Sequence, residues 1–522
     1  MDRFAEELFE EFERNVIMTN SQRIIVNTIA QYTRTIINVC LSLYSTRLIL
    51  SALGQSDYGI YSVVAGVVAM LSFVTNALVI TTQRYLSFHH GKKDINQVRV
   101  VFGNSWLLHF FIGLLVVLVL SSIGPWITQD FLNIEEARRG AALFVYFAAV
   151  IMLFLTFITA PVRALFIARE NIVYTSFIDV LDGVLKLTIA IVLSKIAFDH
   201  LVTYSSLLIC ISVFNLLALA LYALVKFPEF HLPKLKELDK QYIKGLSNFA
   251  GWTIYSAGCI IARNQGISVV LNLFYGTIIN SAYGIAMQVS GAVQFVSTSI
   301  VSAMNPQIMK AEGAGERNKM LRLCEYESKY SFLLLALVAI PLIAEMETIL
   351  TIWLDNVPPH AVMFCRFILI AALCDQISVG LTSANQAIGR IRTYNLIFYT
   401  LKLLVIVLGW ICLKQELPIA SIMWCYVIIE FLTSLLRLPL MKHIANIDML
   451  RFCKHVFARI VFPCITMALI CYLFITYINI PFRIFTTAIA SCVVGVITIW
   501  LASLNDGEKS YVKSLISKMI KR

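Results

Sequence analysis

Long apolar stretches alternate with short polar ones along the whole chain. Fourteen of them are long enough for a helix to cross a hydrocarbon core, which takes about 20 apolar residues. Charges are too sparse within most of them for helices of a water-soluble protein. The pattern therefore predicts an all-α integral membrane protein with about 14 transmembrane helices. The predicted spans are 24–50, 58–80, 100–123, 141–160, 172–194, 201–225, 246–270, 280–304, 328–344, 361–385, 393–413, 418–436, 456–477 and 484–503.

Basic residues concentrate in every second loop between these spans. If the N-terminus is cytoplasmic, 31 of the 42 Lys and Arg residues lie in or at the edges of cytoplasmic segments, and 5 lie in outside loops. Lys and Arg near short loops resist translocation, so this asymmetry predicts that both termini are cytoplasmic. The net charge of +11 is thereby explained by membrane orientation. The basic residues form no stripe with interleaved aromatics, which argues against nucleic-acid binding.

Cysteine, histidine and glycine spacings point to no metal site, cofactor or catalytic motif. The 12 cysteines form no C-x-x-C pair and the 8 histidines no H-x-x-x-H pair. The chain also lacks a nucleotide-binding G-x-x-x-x-G-K-[ST] loop and a G-x-S-x-G nucleophile turn. The sequence therefore predicts a protein that is not an enzyme.

The chain divides into two similar halves. The segment 57–60 (DYGI) in the second span recurs as 282–285 (AYGI) in the eighth. An even number of spans in each half gives both the same orientation, which is the parallel-repeat plan of some transporters. We predict two six-helix lobes and two added C-terminal helices. The predicted divisions are an acidic cytoplasmic tail at 1–19, an N-lobe with linker at 20–245, a C-lobe at 246–445, and spans 13 and 14 with a basic tail at 446–522.

Ten charged side chains lie inside the predicted spans, not counting Lys329 and Arg459 at the cytoplasmic edges of spans nine and thirteen. Charge at mid-membrane costs roughly 2.5–3.5 kcal/mol on insertion scales, so such residues usually face a bundle interior or a watery cavity. Basic residues outnumber acidic ones by six to four, which suits an anionic substrate. The basic residues are Arg34, Arg47, Lys186, Arg263, Arg366 and Lys402, and the acidic ones are Asp179, Asp182, Asp375 and Glu430.

Two arginines are the leading candidates for substrate binding. Arg34 lies near the middle of the first span, and Arg263 is followed directly by the polar residues Asn264 and Gln265. Arg47 lies toward the outer end of the first span and could instead snorkel to the headgroups. A guanidinium binds phosphate oxygens in a forked geometry, so these arginines suit a pyrophosphate.

Asp182 and Lys186 stand four residues apart, with the acid first, which favours an ion pair within one helix. A substrate or ion relay is the alternative, and the sequence leaves both open. The spacing of Asp375, Lys402 and Glu430 does not indicate which of them form ion pairs. The four intramembrane carboxylates are candidates for binding a coupling H⁺ or Na⁺. Pro161 and Pro306 are predicted to end the fourth and eighth spans.

Several motifs resemble bacterial oligosaccharide flippases of the polysaccharide-biosynthesis type. These belong to the multidrug/oligosaccharidyl-lipid/polysaccharide (MOP) exporter superfamily. The similarity extends from about residue 20 to the C-terminus. It rests on Arg34, SLY at 42–44, Arg47, DYGIY at 57–61, QRYLS at 83–87, AP at 160–161, LKL at 185–187, RNQG at 263–266, LNLFYG at 271–276, GIA at 284–286 and NPQI at 305–308.

This resemblance implies two six-helix lobes around a central cavity, in the bacterial inner membrane. It implies transport of undecaprenyl-pyrophosphate-linked oligosaccharide for O-antigen, capsule or exopolysaccharide assembly, driven by an ion gradient. A polysaccharide polymerase is an implied partner. Arg34, Arg47, Arg263 and Lys186 resemble cationic cavity residues of that family.

Three other functions compete with this interpretation. A multidrug exporter of the same superfamily would carry cations and should have a cavity of net negative charge. A membrane glycosyltransferase or polymerase would need larger outside loops than the chain has. A scaffold of the assembly complex would leave the intramembrane charges without a purpose.

Overall fold

The computed structural model describes residues 20–510 and 513, apart from 70, 132–133, 194, 196–197, 232, 234–237, 355–356 and 478–482. The acidic tail at 1–19 and the side chain of Arg47 lie outside the described part. The described part contains sixteen α-helices. They are α1 (Asn20–Ala69), α2 (Ser72–Gly91), α3 (Ile95–Trp126), α4 (Arg139–Ala168), α5 (Ile172–Leu193), α6 (His200–Lys226), α7 (Lys240–Gly313), α8 (Arg317–Ala344), α9 (Met346–Trp353), α10 (Ala361–Gln376), α11 (Val379–Ile388), α12 (Ile391–Lys414), α13 (Ala420–Ala445), α14 (Met449–Phe452), α15 (Ala458–Tyr477) and α16 (Arg483–Thr498).

The helices identify a multi-pass membrane protein. Within the described residues, ten helical segments are long and apolar enough to cross a membrane. They become eleven if α10 and α11, which meet at a 45° bend, form one span. Each of the fourteen predicted spans falls on a helix, so the all-α prediction is confirmed. Helix α5 is not among the ten, because it carries three charged residues within its 22 positions.

The chain forms two compact units. The first, called the N unit, ends at Leu246, and the second, called the C unit, begins at Ser247. In the N unit, α1 packs along α5, and a core centred on Phe102 and Phe166 lies among α2, α3, α4 and α6. In the C unit, a core around Phe364 and Ile368 joins α7, α8, α10, α12 and α13. Helices α15 and α16 pack on α8 within the C unit.

One glycine breaks the long first helix of each unit. Gly54 interrupts α1 with φ 76° and ψ 169°, and Gly276 interrupts α7 with φ 76° and ψ −168°. This backbone region is essentially restricted to glycine, because a Cβ would clash with the chain. The two breaks lie just before the DYGI and AYGI segments, so the repeat seen in the sequence has a backbone counterpart.

Two proline predictions were wrong. Pro161 lies inside α4, which continues to Ala168, and Pro306 lies inside α7, which continues to Gly313. Proline is tolerated within membrane helices because neighbouring groups satisfy the carbonyl that it frees. Both helices therefore extend a little more than two turns beyond the predicted ends of their spans.

Candidate functional site

A group of five charged side chains lies in the N unit, and we call it the N cluster: Arg34, Arg163, Asp179, Asp182 and Lys186. Its centre is Asp179 on α5. Arg34 Nη1 lies 2.8 Å from Asp179 Oδ2, and Arg163 Nη2 lies 2.8 Å from Asp179 Oδ1. Each carboxylate oxygen thus faces a guanidinium from a different helix, α1 or α4. Neutralising one carboxylate with two arginines leaves a positive surplus at this point.

The second carboxylate of the N cluster is paired within its own helix. Lys186 Nζ lies 2.7 Å from Asp182 Oδ2, so the predicted i,i+4 ion pair is present. Asn215 on α6 donates from Nδ2 to Asp182 Oδ1 at 2.7 Å. Lys186 remains half-exposed, because its stem reaches outward from the helix surface. The N cluster as a whole has three cations and two carboxylates.

The N cluster opens into solvent-accessible space. A cavity of about 510 Å³ is lined by Arg34, Thr35, Asn38, Val39, Ser42, Asp179 and Asp182. A second cavity of about 330 Å³ includes Arg163 and Asn215 together with Thr75, Asn76 and Thr159. The Arg163–Asp179 and Asn215–Asp182 contacts connect the walls of the two cavities. Polar groups that line open cavities are accessible to a hydrated, charged ligand.

The C unit holds a second group of five, called the C cluster: Arg263, Asp375, Lys402, Glu430 and Arg437. Arg263 is hydrogen-bonded to Glu430, and Lys402 Nζ lies 2.8 Å from Glu430 Oε2 and 3.1 Å from Asp375 Oδ1. Arg437 Nη2 completes the chain at 2.8 Å from Asp375 Oδ1. The five residues come from α7, α10, α12 and α13. This cluster also has three cations and two carboxylates.

Each of the three guanidinium nitrogens of Arg263 is hydrogen-bonded within the protein. Nη1 binds Glu430, while Nε and Nη2 donate to Asn264 Oδ1 at 3.1 and 3.0 Å. The guanidinium also stacks 4.5 Å from the ring centre of Tyr426, a favourable cation–π contact. Asn264 therefore positions Arg263, whereas the side chain of Gln265 is exposed. An anion could reach Arg263 only after Asn264 or Glu430 releases it.

Sequence reasoning missed two cations of these clusters. Arg163 lies three residues past the predicted end of span four, and Arg437 lies one residue past the predicted end of span twelve. Both are on helices that continue further, to Ala168 and Ala445. The one signal that could have found them is their closeness to a span end, which is compatible with either a loop or a cavity position.

Arg366, the sixth predicted intramembrane cation, belongs to neither cluster. Its Nε donates to the carbonyl of Ile343 at 3.0 Å. It lines a separate cavity of about 380 Å³ together with Glu345, Glu347 and Arg483. Glu345 there accepts from Arg483 at 2.9 Å, so this cavity carries both signs of charge.

Two ion-pair networks lie in loops outside the spans of the N unit. Arg169 Nε donates to the fully buried Glu229 at 2.6 Å, and His90 Nε2 lies 3.2 Å from the same carboxylate. Burial alone would raise the pKa of Glu229, but hydrogen bonds with His90 and Arg169 outweigh it and lower the pKa to about 2. At the other loop, a hydrogen bond from Arg138 lowers the pKa of Asp199. Arg138 also binds Asp57, so it ties the starts of α4 and α6 to α1.

Comparison with known proteins assigns the fold. The chain matches a crystal structure of a MATE mutant with a TM-score of 0.71 and 13% identity, covering 82% of this chain and 97% of that one. An outward-facing multidrug resistance MATE family transporter of the MOP superfamily matches with a TM-score of 0.68, 13% identity and the same coverage. The chain has the MATE transporter fold. At 13% identity, this similarity shows the fold alone, and it agrees with the predicted all-α membrane fold.

A third solved structure with the MATE fold comes from Pyrococcus furiosus. This MOP superfamily transporter matches with a TM-score of 0.71 and 12% identity, over 82% of this chain and 96% of that one. Its binding pocket is described as having reverse polarity, which suggests a different function for that transporter. Proteins with this fold thus differ in the polarity of their binding pockets.

Sequence comparison finds a similarity of low identity. No family model matches the chain. The chain is 21% identical over 331 residues to EpsK, an uncharacterised membrane protein of Bacillus subtilis. The match covers 63% of this chain and about 65% of the length of EpsK. Among the described residues, no group of three or more His, Cys, Asp or Glu side chains could hold a metal ion.

Proposed function

We propose that the chain is a flippase for lipid-linked oligosaccharides. It would move undecaprenyl-pyrophosphate-linked repeat units across the bacterial inner membrane for O-antigen, capsule or exopolysaccharide assembly. The observation that carries the proposal is the N cluster, where three cations outnumber two carboxylates beside an open polar cavity. A surplus of positive charge in a cavity attracts and concentrates anions.

The pyrophosphate would bind first at Arg34. Asp179 faces both Arg34 and Arg163, so a phosphate oxygen that replaces one carboxylate oxygen keeps the remaining arginine paired. Lys186 adds a flexible cation one to two turns along α5. Arg guanidinium groups bind phosphate oxygens in pairs, which orients the ligand as well as attracting it. Arg47 is a further proposed contact on the same helix as Arg34.

The C unit would contribute to a later stage of transport. Arg263 would become available to the anion when its contacts with Glu430 and Asn264 open, with Gln265 as a neighbouring polar contact. Asp179, Asp182, Asp375 and Glu430 remain the proposed sites for a coupling H⁺ or Na⁺. We also propose that 20–245 and 246–445 are the two lobes and 446–522 an addition, that both termini are cytoplasmic, and that a polysaccharide polymerase is a partner.

A multidrug exporter is the second candidate, because solved structures with this fold include a multidrug resistance transporter. Such a protein carries cationic compounds and would need carboxylates in excess of cations. Both clusters have the opposite balance. The reverse polarity described for the Pyrococcus furiosus transporter supports the view that this fold also serves substrates of other charge.

The test is the leaflet location of the lipid-linked repeat unit in a deletion strain. We expect it to accumulate on the cytoplasmic face, and wild-type protein should relieve this while Arg34→Ala should not. Arg317→Ala is the matched control, since Arg317 forms an ion pair with Glu312 at the exposed start of α8. Full relief by Arg34→Ala at normal protein level would remove the assignment. Altered drug sensitivity of the deletion strain, with normal delivery of the repeat unit, would favour the exporter instead.

A further inference from the structure

Three buried charged side chains lie close together near the start of α8. Glu325 lies 3.2 Å from Arg451 Nε, and Lys329 Nζ lies 2.7 Å from Glu508 Oε1. Glu327, between them, is fully buried and forms no ion pair with any described cation. Glu325 and Lys329, on either side of Glu327, thus each have an oppositely charged partner, whereas Glu327 has none among the described residues.

Glu327 has one hydrogen-bond partner, on α11. Ser383 Oγ donates to Glu327 Oε1 at 2.9 Å, while Oε2 has no protein partner and is inaccessible. The two helices are in backbone contact close by, where the Gly380 amide donates to Ser328 Oγ at 3.0 Å. A Cβ at Gly380 would lie 2.0 Å from the Cys324 carbonyl oxygen, so only glycine allows this approach. The site has no room for a hydrated counter-ion at this contact.

The other groups around Glu327 offer no compensating charge. Helix α11 carries no titratable residue. On α8, Glu325 and Lys329 are paired with other residues, and the remaining titratable groups within one turn of Glu327 are Cys324, Tyr326 and Tyr330. Ser331, one turn toward the end of α8, is buried and its hydroxyl has no partner. None of the charged or titratable groups on the other elements packed against α8 is an ion-pair partner of Glu327. They are Glu347 on α9, Arg366 and Asp375 on α10, Lys454 and His455 in the turn after α14, Arg459 on α15, Arg483 at the start of α16, and Glu508 beyond the end of α16.

An ionised carboxylate cannot remain in such a place without a large penalty. Removing an ion from water costs several kcal/mol even after relaxation, and a buried group avoids this by becoming neutral. A hard metal cation would require about six oxygen ligands, whereas a single hydroxyl reaches this carboxylate. A proton, by contrast, needs no further oxygen ligands. Once protonated, the carboxyl group is neutral and can donate a hydrogen bond.

We propose that Glu327 is a proton-binding site, and that its proton is exchanged as the protein changes conformation during transport. This inference rests on the proposed flippase function and assigns H⁺ as its coupling ion. Release of the proton would leave an unpaired negative charge at the contact of α8 and α11, and so favour their separation. The four carboxylates of the N and C clusters are each held by cations, and a proton arriving there must first break an ion pair.

Infrared spectroscopy of the purified full chain in lipid tests the protonation directly. We expect a carbonyl band from a buried carboxylic acid at neutral pH, and its loss in Glu327→Gln. The matched control is Glu325→Gln two residues away, which removes an ion-paired carboxylate and should leave the band unchanged. The same band in Glu327→Gln and wild type would overturn the proposal. If Glu327→Gln does not fold, Ser383→Ala should shift the band by removing the one hydrogen bond to the carboxyl, and an unshifted band would count against the site.

Proteoliposomes loaded with a fluorescent undecaprenyl-pyrophosphate oligosaccharide test the coupling. In wild type, an imposed pH gradient should accelerate flipping, and Glu327→Gln should lose this acceleration while still flipping without a gradient. Acceleration by a gradient in Glu327→Gln, or by Na⁺ instead of H⁺ in wild type, would overturn the assignment of the coupling proton. If wild type moves no lipid at all, the proposed function fails, and the infrared comparison still decides whether Glu327 binds a proton.

Discussion

The N and C clusters contain the same types of charge in different surroundings. Each has three cations and two carboxylates, but in the N cluster Arg34 is 27% and Lys186 46% exposed. In the C cluster, Arg263 is 7% and Glu430 3% exposed. The first is therefore a set of ion pairs in contact with solvent. In the second, Asp375 is 31% exposed, and the other four charged side chains are buried.

This difference separates the roles that the two clusters can perform. Exposed ion pairs contribute about 0–1 kcal/mol, so a ligand can replace one partner at small energetic loss. Breaking a buried pair costs about 3–5 kcal/mol because an uncompensated charge remains. The N cluster is thus suited to initial capture of an anion, and the C cluster to holding helices together until a conformational change opens it.

The largest expected effect comes from removing the central carboxylate of the C cluster. Glu430→Ala leaves Arg263 and Lys402 buried without it, and should lower the free energy of unfolding by about 3–5 kcal/mol. The matched variant Asp182→Ala in the N cluster should lose about 1 kcal/mol or less. Thermal unfolding in detergent measures both. Equal losses in the free energy of unfolding would show that the ion pairs of the two clusters stabilise the fold to the same extent.

The next effect concerns geometry at the N cluster. Arg34→Lys keeps the charge but removes the fork that pairs with two oxygens, so flipping should fall about tenfold without a change in unfolding temperature. The lipid-flipping rate in proteoliposomes and the unfolding temperature are measured on the same preparation. Wild-type rates in Arg34→Lys would mean that charge alone is recognised at this position.

A smaller effect should appear in the salt dependence of anion binding. Inorganic pyrophosphate should bind the purified protein several-fold more weakly as salt rises from about 0.01 to 0.15 M, because screening acts on solvent-exposed charge. Arg34→Ala should flatten this dependence, whereas Arg317→Ala should not. If pyrophosphate binding to Arg34→Ala depends on salt as strongly as binding to wild type, the anion site lies outside the N cluster.

Glu229 provides a reference outside both clusters. The pKa of Glu229 is lowered from 4.5 to about 2, so its contacts stabilise the folded state above pH 4.5 and lose that contribution as pH falls toward 2. Glu229→Gln should be less stable than wild type at neutral pH. The difference in unfolding temperature between the two proteins should become smaller below about pH 4.5. Unfolding temperatures across pH 3–7 test this. A gap independent of pH would show that the carboxylate charge is not what stabilises this loop.

The fold was predictable because apolar length and loop charge are strong signals, and each predicted span is a helix. The clusters were predictable only in part. Lys402, Asp375 and Glu430 were placed at membrane depth, but their pairing depends on the rotation of helices that are apolar on nearly all sides, where periodicity gives no direction. The Asp182–Lys186 pair was predictable because both residues share one helix.

Residues near helix ends escaped prediction for a different reason. Arg163, Glu327 and Arg437 lie at or just beyond the predicted span limits, where hydropathy falls although the helix continues. Glu327 was assigned to the cytoplasmic segment 305–327, but α8 already begins at Arg317. A polar residue in such a position looks solvated in the sequence, and only the packing of α11 against α8 reveals that it is buried.

The arrangement of the C cluster has a consequence for biogenesis. Asp182 and Lys186 enter the membrane together, as a neutral pair on one helix. Arg263 and its partner Glu430 are 167 residues apart, and at about 5–20 residues per second their synthesis is separated by roughly 10–30 s. During that interval the nascent chain must hold an unmatched arginine at the insertion machinery. We therefore expect truncation before α13 to expose α7 to quality-control proteolysis, whereas truncation after α6 should leave the N unit comparatively protected.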